Sequence, residues 1–464
     1  MEKSPVSTPI LNIKPEDIDN FEKRGKYTVC IVGCGHVGVL HAVLFAEAGF
    51  RVLCFDTDQT VVNNVAKGKA PFSGNDIENR MRRHVKTGHL TATNDIKTAI
   101  SHSDVVAITV PVRIDSRKKV DYSNIESTCK RIGPSLQLGS LVIIMKPVGI
   151  GVVESTVKET LENSSGFKLG IDLGLAYSPF YTLPGQTSET TTGRCRVIAT
   201  TDTKSLRVAS AVLGPITKGG MKKTENVKAA EIATLFDVQQ QDVNIALANE
   251  FANFTEKAGV DYSEVNEILK SGSESLLSSP KLSNANAKEE PYLLLADAEN
   301  LNVKLRIPAV SREINEQTAK HVANLVKDAL RSCGKTLKRA RVSLLGISQT
   351  PNIKNQPKRI VKQVAQVLTA RGARISLYDP FFSENDLADL RPQFKKNLAE
   401  AVEGTDCLVI LTGHEQFKRL NFNRLKIVMK KPSAIVDCEG IIEPSKVEKE
   451  GFIYRGLGRG VWTK

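Results

Sequence analysis

At 464 residues the chain is long enough for two or three domains, each burying its own core. Hydrophobic content of 41% and charged content of 25% are ordinary for a globular protein, and every apolar run breaks well before the ~18 residues of a membrane span. The net charge of +13 favours anionic partners, but nucleic acid is disfavoured: aromatics are only 5%, and none interleaves the basic stretch Lys327, Arg331, Lys335, Lys338, Arg339 and Arg341.

Residues 1–26 hold Pro5, Pro9 and Pro15 with mixed charge and no apolar segment, which predicts a loose extension rather than a signal peptide. The apolar run Thr28 to Val32 predicts a strand. It leads into Gly33-Cys34-Gly35-His36-Val37-Gly38, then a helix pattern from Val39 to Ala48 and a second strand, Arg51 to Phe55, that ends in Asp56. A lone G-x-G-x-x-G says little, but one set between strand and helix with an acid eighteen positions after Gly38 is a dinucleotide cradle. Gly33 allows the sharp turn, Gly35 lets backbone N–H groups approach a pyrophosphate, and Gly38 lets helix and strand pack closely. His36 and Val37 open the helix, whose positive dipole end faces the phosphates. Asp56 accepts from a ribose 2′-hydroxyl and repels a 2′-phosphate, so the cofactor expected is NAD.

An amphipathic segment follows at Ile77 to His84, then a helix ending near Ser101. Further strands are expected at Val105 to Val110, Leu141 to Met145, Leu173 to Tyr177 and Arg196 to Ala199, with helices such as Glu154 to Leu161 between them. This alternation predicts a doubly wound parallel sheet. Residues Val227 to Ala258 contain neither Pro nor Gly and predict one long helix, followed by a shorter one from Asp261 to Leu269. Ser271 to Glu290 reads as a loop, and helices resume at Pro291 to Leu301 and Val310 to Ser332. Strands at Arg341 to Leu345, Arg374 to Tyr378, Cys407 to Leu411 and Ala434 to Val436, with a helix at Pro357 to Ala370, predict a second doubly wound domain. It has no glycine fingerprint, so no second dinucleotide is expected there.

The eight cysteines are scattered without C-x-x-C pairing, as reduced thiols of a cytoplasmic protein are. A helix N-terminus lowers a thiol pKa, so Cys34 is weighed as reactive; its variable slot in the turn favours a packing role. His36 and His41 are the proton carriers nearest the turn, and packing or surface roles are the simpler expectation for both. No metal site is expected.

Two Rossmann-like domains joined by a long helix resemble the UDP-glucose/GDP-mannose dehydrogenase family. The resemblance is carried by the glycine turn with Phe55-Asp56-Thr57-Asp58, by Ala230-Glu231-Ile232-Ala233 and Asp242-Val243-Asn244, and by Pro291-Tyr292-Leu293-Leu294 and Arg312-Glu313-Ile314-Asn315. Leu345-Gly346-Ile347, Tyr378-Asp379-Pro380, Leu411-Thr412-Gly413-His414 and Gly456-Leu457-Gly458-Arg459-Gly460 continue it. It implies an extension at 1–26, an NAD-binding domain at 27–205, a central helical dimerisation domain at 206–332 and a nucleotide-sugar-binding domain at 333–464. It also implies a homodimer and a role in polysaccharide biosynthesis; the broken apolar runs predict no membrane partner.

The family oxidises the C6 alcohol of a nucleotide sugar to a carboxylate in two hydride transfers to NAD, through a cysteine that traps the aldehyde. By the same alignment the thiol position reads Asn286, the lysine Thr234, the asparagine Val238, the threonine Met145 and the glutamate Phe180. The usual thiol route is therefore not expected; the alternative is a non-catalytic homologue that binds NAD or a sugar nucleotide in a regulatory or assembly role. The nucleotide grip, Gln349 to Pro357, is short of cations, and Glu439 replaces an arginine, which repels a diphosphate unless Lys354, Lys358 or Arg359 compensates.

Overall fold

The computed structural model describes residues 8–70, 75–115, 117–180, 193–272, 277–282, 290–354, 357–387 and 393–460. The chain forms two compact units, one of residues 1–238 and 292–303, the other of 239–291 and 304–464.

The first unit is built on an eight-stranded sheet. Its strands are β1 (Thr28–Val32), β2 (Arg51–Phe55), β3 (Leu90–Thr93), β4 (Val105–Ile108), β5 (Leu141–Ile144), β6 (Gly174–Tyr177), β7 (Arg196–Thr200) and β8 (Met221–Thr224). They lie in the order β8-β7-β6-β5-β4-β1-β2-β3. Residues of β4, β5 and β6 are all buried, because helices cover both faces, and this is why the inner strands read as unbroken apolar runs. The sheet is parallel except where β6 meets β7 antiparallel, so β7 and β8 run against the rest. The order reverses between β1 and β4, the place where open α/β sheets leave a crevice for a ligand.

Residues 8–26 are not loose. Ile10, Leu11, Ile13 and Ile18 are buried, and Leu11 N donates to Gly139 O at 2.9 Å. The proline and charge content hid a short apolar stripe that docks on the first unit.

Helix α1 (His36–Glu47) follows the glycine turn, and Val37 through Ala46 are all buried along it. Helix α2 (Val227–Ala258) is continuous for 32 residues. Helices α3 (Tyr262–Gly272), α4 (Glu290–Asn300) and α5 (Arg306–Ser332) follow. In the second unit a fully buried Arg312 on α5 donates through Nε to Asp242 Oδ2 on α2 at 2.6 Å, and Asn315 Nδ2 donates to Asp242 Oδ1 at 3.0 Å. These polar contacts fix the register of the two helices.

The second sheet holds β9 (Arg341–Leu345), β10 (Arg374–Tyr378), β11 (Cys407–Ile410), β12 (Ala434–Asp437) and β13 (Ile453–Gly456) in the order β10-β9-β11-β12-β13, all parallel. Helix α6 (Arg359–Ala370) buries Ile360, Val361, Val364 and Leu368 against it. Among the described residues no helix is long and apolar enough to cross a membrane.

Candidate functional site

The glycine turn has the geometry its spacing predicts. Gly33 sits at φ +98°, a conformation that L side chains rarely adopt, and its N–H donates to Phe55 O at 2.9 Å, tying the turn to β2. A Cβ on Gly38 lies 2.0 Å from Gly33 O and 2.9 Å from Thr109 Oγ1, so no side chain fits there. Thr109 Oγ1 donates to Gly33 O at 2.5 Å and braces the turn from the end of β4. Around Gly35 there is no atom within 4 Å of an added Cβ, which leaves its backbone open to a ligand. His36 is exposed at the start of α1, and Val37 is buried behind it.

Asp56 stands at the carboxyl end of β2. Its Oδ2 accepts from Cys34 N at 2.7 Å and its Oδ1 from Asp58 N at 3.0 Å. Each oxygen keeps a lone pair for a ribose hydroxyl. Turn, helix and acid therefore fit a dinucleotide. Bound NAD supplies a hydride acceptor; the chain supplies the open turn, the helix N-terminus and the ribose acceptor. The Cys34 thiol donates to Phe55 O at 3.4 Å, and its contact with the Cys54 thiol together with burial pushes it well above the usual thiol range. The helix dipole does not prevail there, and Cys34 is a packing residue.

The loop after β5 is the second feature at this edge. Gly149 N donates to Tyr122 Oη at 3.1 Å, Ile150 N to Asp297 Oδ2 at 2.8 Å, Gly151 N to Glu231 Oε2 at 2.5 Å and Val153 N to Glu231 Oε1 at 3.0 Å. The carboxylates of α2 and α4 thus cap the free N–H groups that open the next helix. Burial pushes the Glu231 carboxyl up to about 7, with Glu154 and Asp297 adding to the rise against the two N–H bonds. Sequence reading gave Glu231 as part of a motif without a role.

In the second unit Asp379, at the end of β10, mirrors Asp56. Its Oδ2 accepts from Ile347 N at 2.6 Å, Ser348 N at 2.9 Å and His414 Nε2 at 3.0 Å. Burial alone raises this carboxyl, but the His414 and backbone bonds hold it below its ordinary value. His414 Nδ1 accepts from Asn352 N at 2.9 Å, which pins the loop between β9 and α6. Lys358 is buried, and its Nζ donates to Leu411 O at 2.7 Å and Glu439 Oε1 at 2.9 Å. Glu439 is thus neutralised from within the unit. Lys354 Nζ pairs with Asp386 at 2.9 Å, and Arg359 is exposed at the start of α6.

Comparison with known proteins gives this geometry a family. Residues 27–217 match the NAD binding domain of the UDP-glucose/GDP-mannose dehydrogenase family, residues 228–317 its central domain and residues 343–444 its UDP binding domain. The chain belongs to the UDP-glucose/GDP-mannose dehydrogenase family. It is 28% identical over 437 residues to the UDP-N-acetyl-D-mannosamine dehydrogenase of Pyrococcus horikoshii, covering 93% of this chain and 99% of that protein. It is 26% identical to the UDP-glucose 6-dehydrogenase of Rhizobium meliloti, covering 93% of this chain and 99% of that protein. The solved structure of UDP-D-ManNAc dehydrogenase from Pyrococcus horikoshii superposes with a TM-score of 0.81 at 26% identity, covering 93% of this chain and 99% of that one.

In this dehydrogenase-family chain, two of the residues singled out in the sequence, Met145 and Phe180, come together. Phe180 N donates to Met145 O at 3.0 Å, joining the ends of β6 and β5. Both side chains are buried and neither carries a proton. On α2, Thr234 and Val238 follow Glu231 at helical spacing on the buried face, and Thr234 Oγ1 donates back to Ala230 O at 2.7 Å. Asn286 lies outside the described residues. Seven of the eight cysteines are buried; Cys195, just before β7, is exposed.

Proposed function

We propose that this chain binds NAD in the first unit and a nucleotide sugar in the second, and that it does not run the thiol-dependent oxidation of its relatives. What supports the reading is the set of residues at the positions to which the family resemblance assigns the reaction: an asparagine, two aliphatic or thioether side chains, a phenyl ring and a threonine already hydrogen-bonded to its own helix. Without a thiolate there is no thiohemiacetal and hence no thioester for a second hydride transfer. Loss of one general acid or base alone costs about 10²–10⁴ in rate. The names of the relatives make UDP-N-acetylmannosamine the first sugar nucleotide to test, with UDP-glucose and GDP-mannose next.

The same reading makes the chain a cytoplasmic homodimer that regulates or completes an assembly in polysaccharide precursor supply. Phe236, Leu247, Phe251 and Phe254 are exposed on α2 and fall within about 60° of one another around the helix axis, a face that a second copy covers. A second reading, an NAD-dependent oxidoreductase using other residues, is favoured by the near full-length similarity to proteins named dehydrogenases. Isothermal titration with NAD, NADP and the three sugar nucleotides tests the binding reading. Binding of NAD over NADP and of at least one sugar nucleotide is expected; no heat with NAD contradicts it.

A further inference from the structure

In the second unit, the edge where β12 and β13 begin lies opposite the edge that carries Asp379 and His414. β12 is four residues long, so about 10 Å of sheet separates the two. Gly404 N donates to Val428 O at 2.8 Å and Lys430 N to Thr405 O at 2.9 Å, which seats the end of the short helix Phe422–Val428 beside the start of β11. Ile453 N donates to Ser433 O at 3.1 Å and ties β13 to the start of β12. Between them helix Pro444–Lys449 turns back through Gly451, at φ +84°, whose N–H donates to Glu448 O at 2.8 Å. Glycine takes that conformation freely and leaves its backbone bare towards Lys426, whose Nζ is 4.0 Å from where a Cβ would stand.

These turns enclose a cleft of about 330 Å³, lined by Lys426, Lys431, Pro432, Ser433, Glu450 and Phe452 together with Gly451, all within the second unit. Lys426 Nζ stands 4.0 Å from Glu450 Oε2, the outer limit of an ion pair, and Lys431 is exposed with no carboxylate partner among the described residues. Two ammonium groups therefore face one carboxylate, and the exposed Lys430 adjoins them. Ser433 is only 3% exposed, yet among the described residues neither its hydroxyl nor its backbone N–H has a hydrogen-bond partner.

A buried donor without an acceptor is unfavourable, and one that lines a cleft is satisfied by what fills the cleft. Lysine is a compact point charge without the planar fork that matches a carboxylate, so two lysines with a hydroxyl and an N–H suit a tetrahedral anion approached from several sides. A phosphate monoester carries about −1.5 to −2 charge at pH 7, which balances the excess of lysine over glutamate there. The cleft is at the small end of the range for ligand sites, with room for the phosphate and a few carbons against the buried Phe452 ring and Pro432.

We propose that this cleft binds a small phosphate monoester, at a site separate from both the dinucleotide turn and the edge at Asp379. The probe is glycerol 3-phosphate, titrated calorimetrically into the full chain at constant ionic strength, with NAD and UDP saturating so that anion sites for either are filled. One site per chain is expected. Lys426→Gln with Lys431→Gln is expected to weaken binding at least ~10-fold, and Ser433→Ala roughly 5-fold. Lys338→Gln with Arg339→Gln removes the same charge from exposed positions beside the start of β9, on the same edge, and is expected to leave the affinity unchanged. A wild-type melting temperature in each variant controls for folding. No heat with glycerol 3-phosphate, an affinity that survives in the Lys426 and Lys431 variant, or an equal loss in both double variants overturns the proposal. Retention of the protein on phosphatidate vesicles, lost with Lys426 and Lys431, places the same phosphate on a lipid; a protein that stays in solution while binding glycerol 3-phosphate places it on a soluble ester.

Discussion

Glu231 commits both carboxylate oxygens to the loop after β5, yet burial holds its carboxyl near 7 rather than at the ordinary 4.5. The folded protein therefore keeps a proton that the unfolded chain has released between those values. Its contribution to stability is complete below about pH 4.5 and is lost as pH rises through about 7, up to about 3 kcal/mol. Thermal unfolding followed from pH 5 to pH 8 is expected to show a falling melting temperature, and Glu231→Gln a flatter profile; a profile unchanged by the substitution contradicts this. Gly38 gives a second residue-scale outcome. Alanine there puts a methyl 2.0 Å from Gly33 O, so backbone must move, at about 1–3 kcal/mol. Gly38→Ala is expected to lose the NAD-induced rise in melting temperature, and a full wild-type rise rules out this role for the turn. The glycines and Asp56 were legible in the sequence because the chemistry is local. The pairing of Arg196 Nη2 with His41 Nε2 at 2.9 Å was not: their meeting depends on the antiparallel turn of β7, which no local pattern announces.

At the scale of elements, the long runs were legible and the short edges were not. The apolar strands β1, β2, β4 and β5 and the unbroken α2 declare themselves by composition. β3 (Leu90–Thr93), β8 (Met221–Thr224) and β13 (Ile453–Gly456) were missed because each is four residues long at a sheet edge, and β8 is Met-Lys-Lys-Thr with both lysines exposed. The register that gives α2 its exposed stripe also carries a prediction. Phe251 and Phe254 stand 43% and 73% exposed, a contiguous apolar surface that water does not favour. The double variant Phe251→Glu and Phe254→Glu is expected to convert the proposed homodimer to a monomer by light scattering; a wild-type monomer, or a variant dimer of unchanged stability, contradicts this role for the face.

For the molecule as a whole, the two sheets repeat one device: a strand, a helix and a second strand ending in an acid that receives backbone N–H groups from the first turn. In the first unit Asp56 takes one such bond and stays available to a ribose; in the second Asp379 takes two, together with His414, and serves the loop itself. That difference, with the G-x-G-x-x-G fingerprint found in the first unit, favours the first unit as the dinucleotide site. The charge is divided too. Residues 304–464 hold 30 Lys and Arg against 16 Asp and Glu, so the excess that draws anions lies on the side of the UDP binding domain. The decisive measurement is a single turnover with the protein in excess over a UDP-sugar and with saturating NAD, following reduced nicotinamide. The thiol-free reading predicts no more than one reduced nicotinamide per sugar with UDP-N-acetylmannosamine, UDP-glucose or GDP-mannose. Two per sugar, the second lost in Cys195→Ser, the one exposed thiol, contradict it.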